Sequence, residues 1–274
     1  MIQFAGDHFL NGDKTISVLH IDQYIRDEDD VVYEVIRFID AKPLFLEDHL
    51  NRFLSTFQFN SEEIDHYKRL LTSNIHTLIK SNKKNNGNIR FQFNNNDTKS
   101  FFAWLIPFKY PTTKQYDDGI IVETYKGERN EPQIKARDLK LRQGADEFIE
   151  KHNIFEAIFV GKKGEITEGS RSNVFFLQHE KIITPPLPVV LPGITRHKIV
   201  QLIHEYGFQF EERTIYLNEL KKITSCFISG TSPKILPIKI FDKKYMDVKN
   251  PLLQKLMKLY DRKIEEYLAN FNLR

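Results

Sequence analysis

Three short stretches in the second half of the chain carry residue types that bind anions or hold an acid in place. In Leu191-Pro192-Gly193-Ile194-Thr195-Arg196, a proline-rich loop (Pro185-Pro186-Leu187-Pro188) runs into a segment with Ile199, Leu202 and Ile203 on one helical face. A glycine at such a point lets the backbone come close to a ligand. The free N–H groups of a helix start, with a threonine hydroxyl beside them, form an anion site; the same residues also suit an ordinary helix cap. In Ser229-Gly230-Thr231-Ser232-Pro233, small and hydroxylated residues leave the apolar run Cys226-Phe227-Ile228. Donors at such a strand end can face a cleft, although alone the stretch is a turn. In the run from Gly164 to Phe176, Glu168 is flanked by small residues just before an apolar strand. It is either an acid placed for chemistry or a solvated loop acid. Two donor-rich loops in one half of the chain point to a bound phosphate.

Composition narrows the partners. The 274 residues, 41% of them hydrophobic, can fill one large core or two moderate ones. The 40 Lys+Arg and 37 Asp+Glu are interspersed, for a net charge of +3. No long basic block suggests a nucleic-acid partner, and Lys80-Ser81-Asn82-Lys83-Lys84 reads as a solvated helix end and loop. The single cysteine, Cys226, lies in an apolar string. It gives neither an internal disulfide nor a metal cluster and reads as a buried thiol. No run approaches the ~18 apolar residues of a membrane span, and Met1 to Asp7 has no signal-peptide pattern. A cytoplasmic protein without membrane or metal partners is expected.

The elements that must position these residues follow from periodicity. Val31 to Ile39 is a β-branched strand. Leu46 to Gln58 and Glu62 to Lys80 repeat apolar residues at helical spacing. Ile89, Phe91 and Phe93 alternate with Arg90, Gln92 and Asn94 as a half-buried strand whose hairpin partner is Phe101 to Phe108. The polar, turn-rich stretch 111–119 is the best boundary, separating a small domain over 1–110 from a larger one over 120–274. The second part opens with a strand at Ile120 to Thr124 and a helix near Leu141 to Lys151. Strands follow at Phe155 to Val160, Val174 to Leu177 and Ile182-Ile183, and helices run from Thr195 to about Tyr206 and Pro251 to Leu268. Intermixed strands and helices indicate an α+β, two-domain protein.

The string Glu168-Gly169-Ser170-Arg171-Ser172-Asn173-Val174-Phe175 resembles the signature of the class IV aminotransferases (the branched-chain and D-amino-acid aminotransferases and aminodeoxychorismate lyases). Leu191 to Arg196 follows at the family's usual distance, and the Gly230-Thr231 loop with Pro237 downstream also matches. Earlier in the chain, Tyr33-Glu34-Val35-Ile36-Arg37 resembles the family's "(F/Y)E-x-I-R" strand, and the stretch from Phe45 to Phe53, with His49 and Arg52, resembles its "H-x-x-R" helix. The five motifs stand in the family's order over nearly the whole chain. One departure is the family's glycine-rich run before the strand, replaced here by Asp22-Gln23-Tyr24-Ile25-Arg26-Asp27-Glu28-Asp29-Asp30, on the substrate side of the site.

The resemblance implies a fold type IV pyridoxal 5'-phosphate (PLP) enzyme, a homodimer acting on amino acid and keto acid substrates. Arg52 would hold the cofactor phosphate, helped by Gly193, Ile194, Thr195, Gly230 and Thr231. Glu168 would pair with the ring nitrogen and keep it protonated. Tyr33, Arg37 and Arg90 would receive the substrate. One lysine must bond to the cofactor and carry the α-proton. The stretch Gln133 to Lys140, read as a strand, offers two, Lys135 and Lys140, and side chains five apart on a strand point to opposite faces. Lys135 lies 33 positions before Glu168 (168 − 135), which resembles the family spacing. It also puts Asp138 where the family often has Asn. Lys140 matches a local "D-(I/L)-K" pattern but needs a deletion in the following helix. Lys135 is favoured, with Lys140 as the alternative. The same resemblance admits a 4-amino-4-deoxychorismate lyase, or a non-catalytic protein on the same fold.

Overall fold

A computed structural model describes residues 3–24, 31–94, 97–129, 132–135 and 139–271. The chain divides into two units. One comprises Met1–Lys109, Ile134–Arg137 and Ile264–Arg274, and the other Tyr110–Gln133 and Asp138–Lys263.

In the first unit, six strands build one sheet. Strands β1 (His8–Asn11), β2 (Lys14–Ser17), β3 (Tyr33–Ile39), β4 (Lys42–Pro43), β5 (Gly87–Asn94) and β6 (Asp97–Ile106) order as β2-β1-β6-β5-β3-β4. Along β3 every second residue is buried. Ile36 and Phe38 join Ile89, Phe91 and Ala103 in a core closed by helices α1 (Leu46–Leu54) and α2 (Ser61–Asn82). Helix α1 stops four residues short of the expected Gln58. The Ser55 hydroxyl donates to the Arg52 carbonyl at 2.8 Å, and Thr56 and Phe57 bond three residues back, the tighter spacing of a 3₁₀ turn. Helix α2 ends at Lys83 in the left-handed conformation. Asn82 is not solvated as expected for that helix end. Its Oδ1 accepts from the N–H groups of Asp7 and His8 at 2.8 and 3.0 Å, fastening the start of β1 to the helix.

The second unit holds α3 (Thr113–Asp118), β7 (Ile120–Lys126), α4 (Leu139–His152), β8 (Glu156–Val160), β9 (Glu165–Gly169), β10 (Asn173–Gln178), β11 (Lys181–Thr184), α5 (Ile194–Glu205), β12 (Gln209–Glu212), β13 (Ile215–Tyr216), β14 (Ser225–Gly230), β15 (Lys234–Phe241), β16 (Lys244–Tyr245) and α6 (Pro251–Ala269), whose end belongs to the first unit. The strands form one mixed sheet, β12-β11-β10-β14-β15-β7-β8-β9-β13, with β16 on β15. Its pairs are antiparallel except β15–β7, β7–β8 and β11–β12. Strand β8 is buried at all five positions, and after Glu156 it is a continuous apolar run because both faces are covered. The buried Cys226 lies in this unit's core. Among the described residues no helix is long and apolar enough to cross a membrane, and no group of three or more His, Cys, Asp or Glu could hold a metal. The α+β expectation agrees with these two mixed units.

Among its described residues, the stretch 133–140 is not a strand. Its described residues before 136 form a turn and an irregular segment, and Lys140 lies in the first turn of α4. The helical period, with Leu141, Ala145, Phe148 and Ile149 packed on Ala157 and Phe159, extends back through Leu139. No alternating apolar pattern competes with it. The opposite-face argument for the two lysines therefore lapses. Asp138 lies outside the described residues, as does the 25–30 portion of the substituted glycine-rich run.

Candidate active site

The first unit gathers charge around one carboxylate. Alternation along β3 places Glu34 on the core face beside Ile36 and Phe38, where it is fully buried. Helix α1 presents His49 and Arg52, three residues apart and hence on one helical face. The start of α1 lacks a side-chain cap of its own at Phe45, which is left-handed at φ 53°. Tyr267 supplies the cap: its hydroxyl accepts from Leu46 N at 3.0 Å and donates to Glu47 Oε2 at 2.8 Å. Arg52 grips Glu34 through two parallel bonds, Nε to Oε2 at 2.9 Å and Nη2 to Oε1 at 2.7 Å, the strong bidentate geometry. Lys135 Nζ and His49 Nδ1 each lie 3.4 Å from Glu34 Oε1. The Lys135 carbonyl accepts from Tyr33 N at 3.1 Å, anchoring the lysine to the start of β3.

Burial by itself would raise the Glu34 carboxyl, but the Arg52, Lys135 and His49 charges overcome it and hold the group well below the usual carboxylate range. Burial lowers His49, against the attraction of Glu34. Both shifts have one sign for stability. Each group binds its proton more weakly folded than unfolded, so acid favours the unfolded chain. Stability of the apoprotein is expected to fall as pH drops below about 6.5, the unperturbed histidine value, and again below about 4.3, that of glutamate. Urea melts at pH 7.5, 5.5 and 4 check this, and a midpoint that rises on acidification would refute it.

On the opposite face of the same sheet, register places Tyr33 across from Gln92, Val35 from Arg90 and Arg37 from Asn88. The half-buried Arg90 is not a solvated charge. Its guanidinium lies 4.3 Å from the Tyr33 ring centroid and 5.2 Å from that of Trp104, and donates to Gln92 Oε1 at 2.9 Å. Lys135 Nζ is 5.7 Å from the Tyr33 ring centroid. Tyr33, Arg37 and Arg90 thus share one face of β3 and β5, while Glu34, His49 and Arg52 meet on the other.

In the second unit Glu168, at the end of β9, is buried. Arg129 Nε is 2.9 Å from its Oε1. Its Oε2 accepts from Leu191 N at 3.0 Å and lies 3.4 Å from Asn173 Nδ2. The turn after Glu168 is fixed from below by Glu156, which accepts from Ser170 Oγ at 2.5 Å and Arg171 N at 2.9 Å. Burial pushes the Glu156 carboxyl up, with these bonds and nearby arginines opposing. The Ser170 carbonyl accepts from Arg142 at 3.1 Å and Arg129 at 3.4 Å. Leu191 leads to Gly193, the N-cap of α5, which offers no side-chain cap to the first-turn N–H groups. A Cβ on Gly193 would collide with Asn173 Oδ1, so only glycine permits that approach. Tyr260 donates its hydroxyl to Thr195 Oγ1 at 3.4 Å. The half-buried Gly230 and Thr231 leave β14 directly after Ser229, whose buried hydroxyl has no hydrogen-bond partner among the described residues.

The predicted residues therefore fall into two groups, Tyr33, Arg37, Arg52, Arg90 and Lys135 in the first unit and Glu168, Gly193, Ile194, Thr195, Gly230 and Thr231 in the second. Lys140 is exposed on α4 and joins neither cluster. Glu34 and His49 stood inside the motif strings without a role; their burial on the core face was the missing signal. Arg129 has no signal in its loop, which reads as solvated. The donor set suits PLP: uncapped helix N–H groups, hydroxyls and a glycine approach for a phosphate, and a buried carboxylate for a ring nitrogen.

A family model described as amino-transferase class IV matches residues 31–241. The D-alanine aminotransferase of Staphylococcus aureus (strain N315) is 28% identical over 256 residues, covering 87% of this chain and 89% of that protein. The fold is similar to that of Escherichia coli branched-chain amino acid aminotransferase, with a TM-score of 0.78 at 19% identity over 95% of both chains. It is also similar to the T.th. branched-chain amino acid aminotransferase solved with pyridoxamine 5'-phosphate, with a TM-score of 0.77 at 16% identity over 96% of this chain and 95% of that one. The family match spans well over half of the sequence, and the chain belongs to the class IV aminotransferases.

Proposed function

We propose that this enzyme uses PLP to move an amino group between an amino acid of the branched-chain or D-amino-acid type and a 2-keto acid, with Lys135 as the amine that bonds to the cofactor. One observation carries the reading: Lys135 and Arg52, far apart in sequence, meet on the buried Glu34 carboxylate, whereas Lys140 is exposed. By resemblance to the family, Arg52 of the first unit would hold the phosphate as a fixed guanidinium; within the second unit, the Ile194 and Thr195 N–H groups, the Thr195 hydroxyl and the Gly230-Thr231 turn are the donors suited to a phosphate. Gly193 leaves room for that approach, and Glu168, oriented by Arg129, pairs with the ring nitrogen. When bound, PLP supplies an electron-accepting ring that acidifies the substrate Cα–H. Lys135 Nζ takes and returns that proton, and Glu34 orients the amine between turnovers. Tyr33, Arg37 and Arg90 offer the substrate carboxylate an aromatic hydroxyl and two guanidinium groups. The family resemblance supports a homodimer and a cytoplasmic location as parts of the same reading.

The test is a half-reaction screen, in which L- and D-amino acids are added singly to the PLP form and conversion to the pyridoxamine form is followed by absorbance. Conversion by one stereochemical series defines the donor. The relatives named for D-alanine and for branched-chain amino acids make both series necessary. No conversion with any amino acid, together with release of pyruvate from aminodeoxychorismate without a keto acid, would replace the reading by a 4-amino-4-deoxychorismate lyase.

A further inference from the structure

Three segments of the second unit converge on one buried amide. Asn173, the first residue of β10, is 5% exposed. Its Nδ2 donates to the Leu191 carbonyl at 2.9 Å and lies 3.4 Å from Glu168 Oε2. The Leu191 N–H closes the ring by donating to the same Glu168 oxygen at 3.0 Å. On its other side, Asn173 Oδ1 sits so close to Gly193 that a Cβ there would overlap it. The backbone of Asn173 is in register with Ser229, one residue before the Gly230-Thr231 turn. The stacked rings of Phe175 and Phe227, 4.8 Å apart, stiffen these two strands just below. One side chain therefore ties the carboxylate at the end of β9 to the glycine that opens α5, from a strand that also registers the third loop.

We propose that Asn173 is a positioning residue that sets the span between Glu168 and the N-terminus of α5, and so matches the protein to the distance between the ring nitrogen and the phosphate of its cofactor. The inference rests on the PLP reading above. Asn173 needs no contact with the cofactor to act in this way. A ligand that engages two sites gains from both only when their separation fits it, and loses that gain when the separation drifts although each site persists. Aspartate in its place would keep the size but remove the donor to Leu191 and face Glu168 with a second carboxylate.

The two ends can be probed separately with pyridoxal, which lacks the phosphate, and with inorganic phosphate. In apoprotein titrations, Asn173→Ala is expected to bind each fragment within about threefold of wild type but to bind PLP about 30-fold more weakly, the signature of lost preorganisation. Asn173→Ser trims the amide to a short hydroxyl, leaves Gly193 untouched and should give the same pattern. It also serves if Asn173→Ala melts early as the apoprotein. Unchanged PLP affinity in both variants would overturn the proposal. So would fragment affinities that fall in step with PLP, because that is general disruption. Wild-type protein that binds neither PLP nor pyridoxal would instead bring down the cofactor reading, and this inference with it.

Discussion

Lys135→Ala is expected to lose the visible absorption band of lysine-bound PLP and to lower transamination by at least about 10³-fold, within the range over which positioned proton-transfer groups act. The chain offers two lysines in one short stretch, and only Lys135 is gathered into a buried cluster with other candidate site residues. Its Nζ is 3.4 Å from Glu34, and its carbonyl is tied to the start of β3. Lys140 stands exposed on α4, so Lys140→Ala should keep the band and stay within about threefold of wild-type rate, as surface substitutions usually do. The pair of variants decides the matter by spectrum alone, before any substrate is known. A band that survives in Lys135→Ala and vanishes in Lys140→Ala would transfer the role to Lys140. It would also separate catalysis from the Glu34 cluster.

The second large effect concerns stability. Glu34→Gln keeps the size of the side chain but removes the negative charge on which the Arg52 guanidinium and the Lys135 ammonium converge. Arg52 and Lys135 are only 11% and 19% exposed at their side chains, so water cannot fully replace the lost partner. Leaving a buried charge uncompensated costs about 3–5 kcal/mol, which should appear as a lower urea midpoint for the apoprotein. The double variant Glu34→Gln/Arg52→Met removes a stranded cation as well and should recover part of that loss, the non-additivity expected of residues in one network. A single-variant loss below about 1 kcal/mol, the scale of a surface pair, would mean that the Glu34 cluster does not anchor α1 to β3. The conservative Glu34→Asp keeps the charge but shortens the reach. It should retain more stability than Glu34→Gln while weakening the hold on Lys135.

Much of the architecture could be read directly. The alternation from Val31 to Ile39 and from Ile89 to Asn94, and the helical spacing of 62–80 and 251–268, predict β3, β5, α2 and α6 because a half-buried element repeats its apolar residues with its own period. The stretch 133–140 misled for the same reason. Its few apolar residues set no period, and the helix that claims Lys140 is driven by Leu141, Ala145, Phe148 and Ile149 packing against Ala157 and Phe159. The Asp7-to-Asn82 bond and the Tyr267 cap on α1 join residues 75 and 221 positions apart, and no local pattern announces such pairs.

The sequence by itself determined the family, the order of the motifs and the residue types available for a phosphate, a ring nitrogen and a Schiff-base amine, because these are matters of local spacing and side-chain chemistry. Tertiary structure alone decided that Glu34 is the hub that binds Arg52, His49 and Lys135, that Arg90 lies against the rings of Tyr33 and Trp104, and that Asn173 joins Glu168 to Gly193. Each depends on which face of an element is buried and on what the chain brings against it from far away. Burial then turns an ordinary glutamate into a fixed counter-charge, since in a dry environment a carboxylate persists only where cations meet it.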